Sequence, residues 1–248
     1  MSFSSLCVVM ATYNGSKYIA AQLHSICRQL TPSDSFVLVD DASIDDTPAI
    51  AKSILSSYGI DLIFLQNEVN LGPCRTFEAA LLNVPSSADY VVISDQDDIW
   101  FEDRLDVIRR NSERFKSIIL NSYIFKGFDS EYPLLRDTFS VCAPSYSYVN
   151  NLIKPSFIGC HLAFDSSFLK LALPFPCSVY MYDMLIGLCI LLYRESSLII
   201  NVPTMLYRRH DNVFTPSRTS LLFKFKVRCR YVLTLVLIAL RSLTSKYA

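Results

Sequence analysis

Apolar and polar positions come in alternating blocks along the first hundred residues. Leu6-Cys7-Val8-Val9-Met10 is a continuous apolar run that breaks at Thr12-Tyr13-Asn14-Gly15, which predicts a buried strand entering a loop. Ile19, Leu23, Ile26, Cys27 and Leu30 then keep helical spacing until Thr31-Pro32 ends the segment. Phe36-Val37-Leu38-Val39 predicts a second buried strand, stopped by Asp40-Asp41-Ala42-Ser43. Thr47-Pro48 offers an N-cap and a first-turn proline for a helix through Ser57. Leu62 to Leu65 reads as a third strand, Asn67 to Gly72 as a loop, Thr76 to Leu82 as a helix and Tyr90 to Ser94 as a fourth strand.

This β-α-β-α-β-α-β order of short apolar strands predicts an α/β fold, with a mostly parallel central sheet flanked by helices. In such sheets ligands bind at the carboxyl ends of the strands. Thr12-Tyr13-Asn14, Asp40-Asp41, Asn70 and Asp95 to Asp98 fall at those ends, so they are expected to converge on one crevice. Beyond residue 115 the pattern is less regular. Ile118 to Leu120, Phe157 to Phe164 and Leu198 to Val202 read as strands and Asp129 to Asn150 as an irregular region, and this half as a whole is expected to shape an acceptor pocket. Met184 to Tyr193 reads as a buried helix with Asp183 at its amino-terminal end. The expected organisation is one domain over residues 1–213, with halves 1–115 and 116–213, followed by a tail over 214–248.

Charge sharpens this division. The chain has 23 basic and 23 acidic residues, a neutral balance that argues against nucleic acid as a partner. Residues 212–248 nevertheless hold seven basic side chains and no acidic one, which leaves the remainder at −7. Tyr231 to Leu240, apolar except for Thr234, is about half of the ~20 residues a spanning helix needs. Its flank, Phe223-Lys224-Phe225-Lys226-Val227-Arg228-Cys229-Arg230, interleaves cations with apolar side chains. Two readings fit: peripheral contact with an anionic membrane surface, or a helix docked on the body. The eight cysteines are scattered without a CxxC pair, which favours a reduced, cytosolic chain and makes zinc a poor candidate.

The densest chemistry is Asp95-Gln96-Asp97-Asp98-Ile99-Trp100, directly after a strand. Carboxylates packed together raise each other's pKa, and a divalent cation with hard oxygen ligands relieves the repulsion. A solvated acidic turn capping the next helix is the alternative. Neither GxGxxG nor GxxxxGK[ST] occurs, so a phosphate loop is not the means of holding a nucleotide. A strand-end aspartate for the base or ribose and an Asp-x-Asp pair for a metal against a diphosphate would serve instead.

These segments, in this order and rough spacing, resemble the family 2 inverting glycosyltransferases of the glycosyltransferase A fold. The resemblance covers most of residues 6–213. It rests on Val8 to Gly15, Val39 to Thr47, Asn70-Leu71-Gly72 and Asp95 to Trp100, joined later by Gly159-Cys160, Tyr182-Asp183 and Tyr207 to Asn212. The later group is similar to bacterial rhamnosyltransferase-like enzymes of surface polysaccharide synthesis. Ala42 stands where the family usually has glycine.

The resemblance implies a metal-dependent transfer from a nucleoside-diphosphate sugar, dTDP- or UDP-linked and possibly rhamnose, to a lipid-linked glycan hydroxyl in O-antigen or capsule-type synthesis. The site would be cytoplasmic, peripheral at the inner face of the cell membrane. Thr12, Tyr13, Asn14, Asp41, Asn70, Arg75, Asp95, Gln96 and Arg208 would bind the donor, with Asp41 on the base. Asp97, Asp95 and His210 would hold Mg²⁺ or Mn²⁺, and Asp183 would be the catalytic base. Asp98 would cap the following helix or support the metal ligands; His24 and His161 carry no assignment. Other readings are a catalytically silent nucleotide-binding or scaffold member of an assembly complex, and a sugar-phosphate nucleotidyltransferase, whose glycine-rich signature is missing.

Overall fold

The computed structural model describes residues 4–126, 136–209 and 221–245. Strand periodicity places its core. In β1 (Leu6–Thr12), Cys7 and Val9 enter one apolar cluster while Leu6, Val8 and Met10 enter another. The same alternation divides β2 (Ser35–Asp40) into Val37 and Val39 against Phe36 and Leu38. In β4 (Tyr90–Ser94) it separates Val91 and Ile93 from Tyr90 and Val92. Successive side chains leave opposite faces of a strand, and both faces are covered here, so these strands are apolar throughout.

One face is covered by α1 (Ile19–Cys27), α2 (Thr47–Ser57) and α4 (Arg104–Ser112), through residues such as Leu23, Leu55 and Ile108. The other is covered by α3 (Pro73–Leu82), α7 (Leu169–Ala172) and α8 (Tyr182–Leu192). A buried leucine of this kind contributes roughly 1.5–3 kcal/mol, so the two clusters supply most of the drive to fold.

The remaining strands are β3 (Asp61–Gln66), β5 (Ile99–Trp100), β6 (Ser117–Phe125), β7 (Arg136–Asp137), β8 (Leu162–Asp165) and β9 (Ser197–Arg208). Among the described residues they form one sheet in the order β3-β2-β1-β4-β8-β6-β9-β5, with β7 on β6. The first four are parallel, β8 runs antiparallel to both β4 and β6, and β6 and β9 are parallel. The expected α/β sheet flanked by helices is therefore present, and it is mixed rather than mostly parallel: β1 to β4 pair in parallel, while β8, β5 and β7 add antiparallel pairs from the later part of the chain.

Three local expectations differ. The strand expected over Phe157 to Phe164 is only β8, because Gly159–His161 form a 3₁₀ turn closed by the His161 amide on the Ile158 carbonyl. The strand expected to stop at Val202 continues through Pro203 to Arg208. A register shift sets Leu120 opposite Ile200 but Asn121 opposite Pro203, and the Asn121 side-chain Nδ2 donates to the Asn201 carbonyl at 2.7 Å. A bulge removes the demand for the N–H that proline lacks. Where the irregular region is described, it includes β7 and the short helices α5 (Thr138–Val141) and α6 (Tyr148–Ile153), capped by Asp137 and Ser147.

The tail forms α9 (Leu221–Ser245), and one face of it docks. Tyr231, Thr234 and Ile238 are buried, and the Thr234 hydroxyl meets that of Ser178 at 2.7 Å. Arg241 donates to the carbonyls of Leu171, Ala172 and Pro174.

Candidate functional site

Parallel pairing brings the carboxyl ends of β1, β2, β3 and β4 to one edge, and polar side chains lock the loops there. Asp40 accepts from the Thr12 hydroxyl at 2.9 Å, the Ser43 amide and hydroxyl, and Gln66. Asp41 accepts from the amides of Leu71 and Gly72, both at 2.8 Å, and from the Asn67 side chain at 2.7 Å. Asn14, at φ +46°, accepts from the Ile44 amide, and Ala42 sits at φ +59°. The Gln96 carboxamide accepts from the Tyr13 amide and donates to the Tyr13 carbonyl. It lies so close to Gly15 that a Cβ there would overlap it.

Thr12, Asn14, Asp41 and Gln96, expected as donor contacts, thus spend most of their polar capacity shaping the crevice. Tyr13 and Asn70 are exposed beside them. Arg75 pairs with Glu78 on α3.

The acidic segment faces β9 and the turn before β8. Among the described residues, Asp95, Asp98 and Cys160 form the compact group of potential metal ligands, with one ligand atom from each within 4.8 Å of the others. Asp98 is fully buried; its Oδ1 accepts from the Arg208 amide at 3.0 Å and its Oδ2 has no hydrogen-bond partner. The Arg208 Nε donates to the Asp97 carbonyl at 2.6 Å, and its guanidinium stacks on Phe125 and Tyr18. The Tyr182 hydroxyl reaches Asp95 at 3.4 Å. Asp183 lies in the first turn of α8, its Oδ1 accepting from the Met184 amide at 2.7 Å. His210 lies outside the described residues.

Electrostatics follow from this crowding. Burial, and then the charge of Asp97, pushes Asp95 up to about 7, with Asp183 adding to the shift. Burial, and then Asp97 and Asp95, holds Asp98 well above the usual carboxylate range. Burial also raises Asp183 to about 6, against the opposing hydrogen bond from Met184.

A buried carboxylate oxygen without a partner, among several carboxylates that raise one another, fits a hard divalent cation. Asp95 and Asp98 are suited to hold it. Cys160 is not, since burial and then Asp98 keep its thiol protonated. Asp97, the ligand expected first, stands outside the compact group, while its charge acts on both members.

Arg104 was not legible as a site residue. It is fully buried, donates to the Thr204 hydroxyl and the Cys160 carbonyl, both at 2.6 Å, and stacks on Trp100. It therefore fixes the turn that carries Cys160 and places a cation behind Asp98. The signal available was a lone arginine shortly after a cluster of acids. His161 is buried and bonded to Ser122, and burial, then Arg104, lowers it to about 3, so it is neutral packing.

Comparison with known proteins agrees with this fold. The sequence is 27% identical over 232 residues to the dTDP-rhamnosyl transferase RfbG of Shigella flexneri, covering 88% of this chain and 77% of that one. The fold is similar to Staphylococcus aureus TarS 1-349 in complex with UDP-GlcNAc (TM-score 0.69, 18% identity). That match covers 96% of this chain and 66% of the TarS chain. It is also similar to the mannosyltransferase PcManGT of Pyrobaculum calidifontis in complex with GDP-Man and Mn²⁺ (TM-score 0.60, 17% identity), covering 100% and 76%. The sequence model of Glycosyl transferase family 2 matches residues 7–172, which span the crevice strands and the Cys160 turn, and the chain belongs to that family.

Proposed function

We propose that this glycosyltransferase moves a sugar, with inversion, from a dTDP- or UDP-sugar to a hydroxyl of a lipid-linked glycan in surface polysaccharide synthesis. The observation that carries the reading is the Tyr182 hydroxyl reaching Asp95 at 3.4 Å, which brings the first turn of α8, with Asp183, up to the Asp95–Asp98 cluster. One group of carboxylates is suited to a diphosphate with its cation, and the separate one to a proton. RfbG, a dTDP-rhamnosyl transferase, supports rhamnose as the sugar, and TarS with UDP-GlcNAc supports a pyrimidine nucleotide.

Asp183 removes the proton of the acceptor hydroxyl as its oxygen bonds to the anomeric carbon. The bond from that carbon to the diphosphate breaks on the opposite side, and the electron pair leaves with the diphosphate. A base titrating near 6 is ionised at neutral pH yet basic enough to take a proton in the transition state. Arg208, held against the Asp97 carbonyl, would offer its positive charge to the leaving group. Asp95 and Asp98, with Asp97 beside them, would hold Mg²⁺ or Mn²⁺, which when bound neutralises charge developing on the diphosphate.

The test is thermal denaturation of the full chain with dTDP-rhamnose, UDP-GlcNAc and GDP-mannose, each with and without Mn²⁺. A ligand at a hundred times its Kd adds about 2.7 kcal/mol to stability. The reading expects a Mn²⁺-dependent rise for a dTDP- or UDP-sugar and release of the nucleoside diphosphate with an acceptor. Binding without release in any acceptor extract would favour a silent nucleotide-binding member, and no shift with any nucleotide would overturn the donor assignment.

A further inference from the structure

Helix α9 is apolar on two faces. Tyr231, Thr234 and Ile238 turn inward, whereas Leu222, Phe225, Val232, Val236, Leu240 and Leu243 are all roughly half or more exposed. Steps of three, four and seven residues, the longest bridged by exposed Cys229, make one continuous outward stripe, widened by Leu233, which is 52% exposed. So much aligned apolar surface is unusual on a protein face bathed only by water.

The flanks of the stripe identify what covers it. Lys226 and Arg230 are exposed along one side, Arg228, half-buried and donating to the Ile153 carbonyl, runs along the other, and the described helix contains no acidic residue. A parallel second copy of α9 laid against the stripe would set Lys226 and Arg230 beside Arg228, and in either direction the described helix offers no acidic residue to compensate its cations. A surface apolar below and anionic above complements both the stripe and its edges. Among the described residues no helix is long and apolar enough to cross a membrane, so the contact is in-plane.

We propose that the outward face of α9 seats this protein on anionic phospholipid, with the stripe in the acyl boundary and the flanking cations among the headgroups. The inward face fixes the rest of the molecule relative to that plane. The Phe223 ring packs edge-on against Tyr180, 5.4 Å between centroids, so the first turn of α9 stands three residues from Asp183. If the transfer reaction is as proposed above, a lipid-linked acceptor in the same leaflet reaches the base without leaving the membrane.

The experiment is flotation of the full chain with phosphatidylglycerol/phosphatidylcholine vesicles and with pure phosphatidylcholine vesicles. Two variants accompany it, Val232→Gln/Val236→Gln on the stripe and Lys226→Gln/Arg230→Gln on its edge, with sedimentation equilibrium for oligomeric state. Binding to the anionic vesicles is expected, weakened about tenfold or more by either variant, with thermal midpoint and Mn²⁺-dependent nucleotide binding unchanged. Absence of wild-type binding to the anionic vesicles would overturn the proposal. So would binding that both variants retain in full, or a wild-type dimer that the stripe variant dissociates. Because nucleotide binding is read separately, failure here leaves the donor reading standing, and the converse also holds.

Discussion

The hydroxyl of Tyr182 occupies the space that a Cβ on residue 159 would take, and only glycine at that position lets the ring lie there. The ring stacks on Phe77, with centroids 3.9 Å apart, and its hydroxyl reaches Asp95. One contact therefore joins the turn carrying Cys160, the acidic segment and the start of α8. Replacing Gly159 by alanine must push Tyr182 out and displace both Asp95 and the adjacent Asp183. The expected result is a loss of about 1–3 kcal/mol in urea denaturation, with sugar transfer falling further than stability alone explains.

Asp183→Asn keeps the shape of the first turn of α8 but cannot take a proton. The transfer rate should fall about 10²–10⁴-fold, with donor binding by calorimetry unchanged. In the wild type the rate should fall as pH drops below about 6, where burial has placed this carboxyl. A variant retaining full rate would move the base elsewhere.

Asp98 predicts an opposite pair of effects from one substitution. Its folded-state pKa lies above the unfolded value, so its contribution to stability is present at low pH and lost as pH rises through the folded pKa. Asp95, raised to about 7, acts in the same direction. His161, lowered to about 3, acts oppositely, its contribution being lost as pH falls below its unfolded value. The comparison is therefore made between wild type and variant. In chelator, Asp98→Asn should raise stability at pH 8 by on the order of 1–2 kcal/mol, the cost of an unpartnered buried oxygen, and by less at pH 5. With Mn²⁺ added, the wild type should gain stability and the variant should not, as thermal midpoints will read.

Ala42 occupies a left-handed conformation at φ +59°, which costs an L-residue roughly 1–2 kcal/mol. Ala42→Gly relieves that strain while adding chain entropy to the unfolded state. A net gain of about 0.5–1 kcal/mol by urea denaturation is expected, with no change in the transfer rate.

The sequence by itself determined the order of the first four strands and their helices, the parallel pairing of those strands and the edge at which polar loops meet. Those depend on local periodicity: β1, β2 and β4 are apolar at every position because both faces are covered. It also brought Asp97, with Asp95, and Asp183 forward as the groups to watch. Tertiary structure alone decided which of three neighbouring aspartates is buried. Asp98, rather than Asp97, turns inward because the backbone amide of Arg208 on β9 meets it. Asp41 and Gln96 bind loops because the partners that occupy them come from distant turns. The same holds for Gly159 beneath Tyr182, for Arg104 behind the Cys160 turn, and for β9 passing Pro203 at a bulge. In α9 the apolar run was legible, but only docking against α7 and α8 separates the residues that enter the core from those that remain outside. Periodicity is set by bonds and neighbours a few residues away, whereas burial, strain and carboxylate charge are set by segments that meet only when the chain has folded.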